Sequence, residues 1–438
     1  MAMTTGSAGS PLFPLSAGIS RRRLLIATAG VTGVALLPAL PRPAAAGSTP
    51  DLVGRWFDEM LATAASPAIG YVERIWAMSW LAAGAALGPW RAVPQRSGEQ
   101  SAVYEDAAVA TAVHGVLKAL VPEQAARLDT ALAGSLAGLP GGAAKEVGIV
   151  AGREAAAAVV RARADDRLDP ASVNAPFTPP PEAPGVYRFT PGVTRVVGAG
   201  YSRGRPFLIQ RADRFRPPRP PALGTDEYRR DLAEVRRLGG QVSERTEEQS
   251  DLAWLNPLAQ YLPVFRSVLG DPTRSRADKV RLLVAFGVTV VDSGIALFEA
   301  KYFHLHWRPI TAIRAADTDG DPLTDPDPTW ASNLPTPAHP EYPSGHTVTA
   351  AVAEQVFSRF VGPSSPVTFS ATYTRGDGKV VHREYRRGTP WTALTRENVD
   401  SRVYAGVHFR FSDEVGATLG RRVAYHNLRR LTLGDFPL

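Results

Sequence analysis

Two cations, Lys301 and Arg308, stand seven residues apart at the end of a long apolar run, 280–297. Seven residues span about two turns of an α-helix, so both side chains would point in the same direction. Like charges buried on one face repel each other and lose their hydration, and an anion bound between them would offset both costs. The alternative is a pair of surface cations near a helix C-terminus, where the helix dipole favours positive charge.

A second group follows in the sequence Pro343-Ser344-Gly345-His346. Apolar residues then recur at every third or fourth position between 348 and 360, which predicts a helix over 347–361. Ser344 therefore lies near a helix N-terminus, where unpaired backbone N–H groups form an anion site.

The third group contains Arg402 and His408, six residues apart. Six residues turn about 240° around an ideal helix, so one unbroken helix cannot aim both side chains at one site. Gly406 is a plausible break between them. Taken together, the three groups supply the cations, hydroxyl, amides and imidazoles that would bind a tetrahedral oxyanion.

These groups resemble the signature of the superfamily of vanadium-dependent haloperoxidases and type 2 phosphatidic acid phosphatases. That signature reads Lys-x6-Arg-Pro, Pro-Ser-Gly-His and Ser-Arg-x5-His, and all three blocks occur here in that order. Broader similarity to bacterial haloperoxidase-like proteins extends from about Arg203 to the C-terminus. The resemblance implies a mainly α-helical bundle with the site in its C-terminal half.

The resemblance also implies vanadate as cofactor, held as an oxyanion through one protein ligand, His408. The residues that would neutralise its oxygens or donate hydrogen bonds to them are Lys301, Arg308, Arg402, Ser344 and the Gly345 amide. His346 would act as acid and base. The metal would serve as a Lewis acid while peroxide oxidises halide to hypohalous acid, with Lys301 polarising the peroxide.

Halide preference rests on one position, His339, five residues before Ser344. Chloroperoxidases of the family have Phe there and bromoperoxidases have His, so the resemblance favours bromide. The alternative interpretation of His339, in a Pro-rich loop, is a solvent-exposed residue.

Two other functions remain open. A secreted acid phosphatase would use the same site, with His408 forming a phospho-histidine and His346 protonating the leaving alcohol. The second open function is that of a secreted helical binding protein with a degenerate site. The haloperoxidase is favoured because those phosphatases are often multi-span membrane proteins, and because of the broader similarity and His339.

One departure from the family pattern concerns the ligand histidine. The family usually has Asp four residues after it, orienting the imidazole, whereas this chain has Ser412 there and Asp413 next. Either residue could still hold the ring of His408, and the alternative is a less basic His408 with a weakened site or an altered activity.

The N-terminus reads as a twin-arginine signal peptide, residues 1–46. Arg21, Arg22 and Arg23 precede an apolar stretch that ends in prolines, and Ala44-Ala45-Ala46 supplies a cleavage site. We therefore expect export to the periplasm or the medium, with no stable membrane association after cleavage. The alternative is a basic amphipathic helix or a membrane anchor.

Pro and Gly residues, which interrupt helices, divide the remaining chain into three parts. Residues 47–172 form an Ala-rich helical region, 173–224 a Pro-rich segment, and 225–438 a helical bundle that carries the site. Interspersed aromatic residues indicate that the Pro-rich segment wraps over the helices. Alternating residues on either side of Asp377-Gly378 predict a small β-hairpin.

Composition narrows the function further. The 438 residues carry 49 Lys and Arg against 42 Asp and Glu, a net charge of +7, but no basic run with interleaved aromatics suggests nucleic-acid binding. Cys is absent, which excludes disulfides, thiolate catalysis and iron–sulfur clusters.

Although six of the eight His fall between 304 and 408, no HExxH pattern occurs, and a conventional zinc site is not expected. We expect His304 to be a packed core residue and make no assignment for His306.

Overall fold

The computed structural model describes residues 51–65, 72–88 and 98–435. The predicted signal peptide, residues 1–46, lies outside these ranges. The described chain is mainly α-helical, as predicted. Its helices are α1 (Leu52–Ala64), α2 (Val72–Leu87), α3 (Glu99–Leu120), α4 (Ala125–Ala137), α5 (Ala143–Ala162), α6 (Pro170–Val173), α7 (Asp226–Gly239), α8 (Glu247–Leu252), α9 (Pro257–Gly270), α10 (Arg276–His304), α11 (Pro309–Arg314), α12 (Gly345–Phe360), α13 (Trp391–Tyr404) and α14 (Arg410–Leu433).

Small residues let the N-terminal helices pack closely. A β-carbon added at Gly148 on α5 would lie 2.5 Å from the Tyr104 carbonyl of α3, and one at Gly152 would lie 2.5 Å from the Ala108 carbonyl. Backbones this close leave no room for larger side chains, so the Ala-rich composition of 47–172 corresponds to tight helix–helix packing.

The long helix α10 runs through the middle of the protein. The Ser275 side chain caps its N-terminus by accepting from the Asp278 amide. Judged by length and composition, α10 could cross a membrane, but 94% of its most apolar window is buried inside the protein. Its apolar surface is therefore accounted for by the core, and its last turn delivers Lys301 to the site.

The Pro-rich segment wraps around α10 without forming long elements of its own, as the aromatic residues predicted. The Asp292 carboxylate of α10 accepts from the amides of Phe207, Leu208 and Ile209. Nearer the N-terminal end of the segment, the Val197 amide donates to the carbonyl of Ala338, in the loop before α12. Because Pro-rich backbone cannot pair with itself in a ladder, these contacts with the bundle hold the segment in place.

The predicted β-hairpin is present. Strands β1 (Phe369–Thr374) and β2 (Val380–Tyr385) pair antiparallel. Gly378 in the turn has φ of 91°, a conformation that glycine adopts at little cost. The hairpin packs against α9.

Candidate active site

The end of α10 and the start of α11 position the first two cations. α10 stops because Leu305 adopts a left-handed conformation, with φ of 50°. Arg308 then occupies the N-cap position of α11, whose first residue is Pro309. The turn between the helices keeps Lys301 and Arg308 in one neighbourhood, and both side chains are fully buried. The alternative of two surface cations is therefore wrong.

Both cations hold the loop at residues 339–341. Lys301 Nζ donates to the carbonyls of Pro340 and Glu341 at 2.9 and 2.8 Å. Arg308 Nε donates to the His339 carbonyl at 3.0 Å. This loop leads directly into the Pro-Ser-Gly-His group, so the cations fix the entry to α12.

Ser344 lies at the N-terminus of α12, as the apolar spacing predicted. It is the N-cap residue, yet its hydroxyl makes no capping bond, and the buried Oγ has no hydrogen-bond partner among the described residues. Gly345 is the first residue of the helix, where backbone N–H groups lack helical partners. His346 follows and is half-buried, whereas Lys301 and Arg308 are fully buried.

The third group is divided by a helix end, as expected from its spacing. Arg402 lies in the last turn of α13, and His408 lies in the link to α14. Gly406 allows the break: its φ is 75°, and an added β-carbon would lie 2.0 Å from the Gly239 carbonyl. Arg402 donates from Nη1 to the Ala253 carbonyl at 3.4 Å, and its buried Nε has no partner in the described chain.

The ring of His408 is held by a residue that the sequence analysis missed. Its Nδ1 lies 2.7 Å from Glu341 Oε1, and its Nε2 lies 3.3 Å from Arg308 Nη1. Of the two residues that the sequence offered for orienting the ring, Ser412 and Asp413, neither makes a hydrogen bond to it within the described residues, and Glu341 does so instead. Ser412 lies beside Glu341, and Asp413 lies beside Ser344 and Arg402.

A signal for Glu341 was present in the sequence. It is an acidic residue in a loop of prolines, three positions before Ser344 and hence next to a group expected to be buried. Long-range pairing could not be read from spacing, because Glu341 and His408 are 67 residues apart.

His339 is buried, so its interpretation as a solvent-exposed residue is wrong. Its side chain is 5% exposed, and Nδ1 lies 3.0 Å from both Arg308 Nη2 and the Pro340 carbonyl. The ring packs edge-on against Phe298, with centroids 5.4 Å apart. His339 therefore touches a cation of the site directly.

The two histidines at the end of α10 are placed outside the anion site. His304 is half-buried, and its Nε2 lies 3.1 Å from the Pro217 carbonyl. His306 is buried against the rings of Tyr342, Phe409 and Phe411. Burial lowers the pKa of His306 to about 3, so it is a neutral core residue.

Burial and mutual repulsion shape the electrostatics of the site. Burial, followed by the charge of Arg308, lowers the pKa of Lys301 well below its usual value. Burial also lowers the pKa values of Arg308 and Arg402 to about 10 and raises that of Glu341 to about 7. Charged groups placed in a poorly hydrated pocket move toward their neutral forms, and an added anion would relieve the cations.

The histidines are affected in the same way. Burial lowers the pKa values of His346 and His408, and Lys301, Arg308 and Arg402 lower them further. Both imidazoles are therefore neutral near pH 7 and can accept a proton or offer a lone pair.

The unpaired atoms of the site fit a tetrahedral oxyanion. Buried donors without partners in the described chain include Ser344 Oγ, Arg402 Nε and Ser412 Oγ, and the carboxylate oxygens of Asp413 are also without partners. Lys301, Arg308 and Arg402 each lower the pKa values of both His346 and His408, so all three cations lie near both imidazoles. Within the described residues, no three His, Asp or Glu side chains are grouped to hold a metal cation. The arrangement suits an oxyanion attached through His408.

Comparison with protein families matches residues 281–433 to the VCPO second helical-bundle domain. These residues include all three signature groups. Comparison with the curated proteins found no match.

Solved structures share the fold over most of the chain. A bacterial vanadium-dependent iodoperoxidase is 20% identical, with a TM-score of 0.66, and the match covers 86% of this chain and 94% of that one. A bacterial vanadium-dependent chloroperoxidase in its holo form is 19% identical, with a TM-score of 0.65 and coverage of 89% and 97%. Its apo form gives 20% identity, a TM-score of 0.64 and coverage of 90% and 96%. At these identities the likeness establishes the fold.

Proposed function

We propose that this chain, which has the fold and, over residues 281–433, the helical-bundle domain of the vanadium haloperoxidase superfamily, is a vanadium-dependent haloperoxidase. It would use hydrogen peroxide to oxidise a halide, and a small organic molecule would accept the halogen. The observation that carries the proposal is the buried set of Lys301, Arg308 and Arg402 near His408, whose Nε2 lies 3.3 Å from Arg308 Nη1.

The residues divide into those that hold vanadate and those that move protons. His408 Nε2 would be the ligand to vanadium, and Lys301, Arg308 and Arg402 would neutralise the oxygens. Ser344 and the Gly345 amide would donate hydrogen bonds. When bound, vanadate supplies a Lewis acid that activates peroxide without changing oxidation state.

His346 is the residue we assign to proton transfer. It is half-buried, so protons and small substrates can reach it, whereas His408 is buried. Its lowered pKa keeps the imidazole neutral in the absence of an anion, which is the form that accepts a proton. With an anion bound, Lys301 would be protonated and would hold a positive charge next to its oxygens.

Bromide is the halide we propose. The support is His339, whose buried ring touches Arg308 and brings a polar nitrogen to the edge of the site. Export by the twin-arginine route, to the periplasm or the medium, is proposed from the sequence of residues 1–46 alone.

An acid phosphatase is the second candidate, favoured by one observation. The Glu341–His408 pair is a carboxylate and an imidazole at 2.7 Å, the arrangement that prepares a histidine to act as a nucleophile. His346 would protonate the leaving alcohol, and the cations would hold the phosphoryl oxygens.

One experiment separates the two candidates. Purified protein, loaded with vanadate and given peroxide and bromide, should brominate a dye faster than free vanadate does, and phosphate should inhibit. His408→Ala should abolish both this rate and vanadate binding, whereas His346→Ala should lose most of the rate but retain some bound vanadate. Bromination no faster than free vanadate, with efficient hydrolysis of a phosphomonoester, would replace the haloperoxidase by the phosphatase.

A further inference from the structure

Glu341 is held both through its backbone and through one oxygen of its carboxylate. Its side chain is fully buried, its amide donates to the His306 carbonyl at 3.0 Å, and its own carbonyl accepts from Lys301. The carboxylate is therefore anchored through its backbone on both sides. The Glu341 carboxylate can therefore move only slightly unless those backbone hydrogen bonds break.

The carboxylate holds the link between α13 and α14 at two adjacent atoms. Oε1 lies 2.7 Å from His408 Nδ1 and accepts from the Phe409 amide at 3.1 Å. A carboxylate at this distance selects the imidazole tautomer with hydrogen on Nδ1, which leaves the lone pair on Nε2. Nε2 is the atom next to Arg308 Nη1, on the side of the cations.

We propose that Glu341 is the positioning residue that makes Nε2 the reactive nitrogen of His408, and that it replaces a carboxylate at position 412. The proposal rests on the proposed oxyanion site and extends it. The position four residues after His408 is occupied by Ser412, which lies beside Glu341.

The loop at 339–341 connects the cations, Ser344 and His408 through direct hydrogen bonds and through the backbone. The loop at 339–341 accepts hydrogen bonds from Lys301 and Arg308 and leads into Ser344. The same loop orients His408 through Glu341. A carboxylate at position 412 would orient the ring without connecting it to Lys301, because it would lie on the helix after the ligand.

The test uses three variants, which remove the carboxylate of Glu341, neutralise it, or move it to position 412. Glu341→Ala removes the acceptor, Glu341→Gln keeps an oxygen but removes the charge, and Glu341→Ala with Ser412→Asp moves the carboxylate to the other side of the ring. Glu354→Gln is the matched control, since Glu354 is also a buried carboxylate, paired with Arg421 on α14. Nitrogen-15 NMR of histidine-labelled protein without vanadate reports the tautomer of His408. Titrations with vanadate and with phosphate report affinity.

In the parent protein and the Glu354→Gln control, His408 should be a single tautomer with hydrogen on Nδ1. Glu341→Ala should give a mixture and weaken vanadate binding by about 10- to 100-fold, the usual effect of removing a group that orients a ligand. Glu341→Gln should fall between, and Ser412→Asp should restore the tautomer and most of the affinity in the Glu341→Ala background.

Two results would overturn the inference. One is an unchanged tautomer and unchanged vanadate and phosphate affinity in Glu341→Ala. The other, decisive if Glu341→Ala does not fold, is parent-like tautomer and affinity in Glu341→Gln together with no recovery from Ser412→Asp. If the parent protein brominates nothing, the proposed haloperoxidase fails, but the tautomer measurement still decides the role of Glu341.

Discussion

Gly416 of α14 packs its α-carbon directly against the carbonyl of Ser344, so that an added β-carbon would lie 2.4 Å from that oxygen and 2.3 Å from Thr347 Oγ1. The contact presses α14 onto the first turn of α12, where Ser344 and Gly345 face the site. The position of the proposed oxyanion donors therefore depends on a glycine that touches no ligand.

Gly416→Ala should lower the free energy of unfolding by about 1–3 kcal/mol, because a methyl group must be forced between two packed backbones. Vanadate affinity should fall as well, since Ser344 is displaced. Gly134→Ala on α4 is the control: a β-carbon there meets nothing within 4 Å, and replacing a helical glycine stabilises by about 0.5–1 kcal/mol. Chemical denaturation measures both. Equal stability changes in the two variants would contradict the close packing.

Lys301→Ala should weaken the binding of vanadate and of phosphate by about 10- to 100-fold, because a hydrogen bond to a charged group is typically worth about 1.5–3 kcal/mol. Lys145→Ala on α5 is the control for loss of a lysine. Calorimetric titration gives the affinities, and thermal unfolding shows whether the loop at 339–341 stays folded. Identical affinities in parent and Lys301→Ala proteins would place the anion elsewhere.

Anion binding should weaken as pH rises. A bound anion raises the pKa of a neighbouring amine, so Lys301, whose pKa is lowered by burial and by the charge of Arg308, takes up protons on binding. Removing those protons at higher pH therefore opposes binding. Sulfate is a suitable probe because its own charge does not change near neutral pH. Titrations in two buffers of different ionisation enthalpy should show proton uptake, and proton release would be the contrary result.

His339→Phe should shift relative turnover from bromide toward chloride. The substitution removes the nitrogen that lies 3.0 Å from Arg308 Nη2 and leaves that donor free to face the site. The measurement is the ratio of the two halogenation rates at saturating peroxide. His382→Phe on the exposed face of β2 is the matched control and should leave the ratio unchanged. A constant ratio in His339→Phe would remove the basis for proposing bromide.

Replacing Arg21 and Arg22 with Lys should keep the protein in the cytoplasm, because the arginine pair is the feature that the export machinery recognises. Cell fractionation followed by immunoblotting measures the distribution. Arg23→Lys is a control within the same segment and should have a smaller effect. Unchanged secretion of the double variant would mean that residues 1–46 are not a twin-arginine signal.

Helical periodicity predicted the elements that carry the site. The apolar run before Lys301 became α10, and the spacing after Ser344 became α12. Gly406 was identified as a break, since two residues separated by about 240° cannot share one helical face. These features follow from local rules, so they can be read from short stretches of chain.

The sequence by itself determined the helices, the hairpin, the wrapping segment and the three groups of a candidate oxyanion site, because each is set by spacing, turn residues or charge within about ten neighbouring residues. Only the tertiary structure decided that Glu341 orients His408 across 67 residues, that His339 is buried on Arg308, and that Gly416 sets the position of Ser344. The physical reason is that a buried carboxylate or imidazole must find its partner in space, and the chain folds distant segments together to supply it.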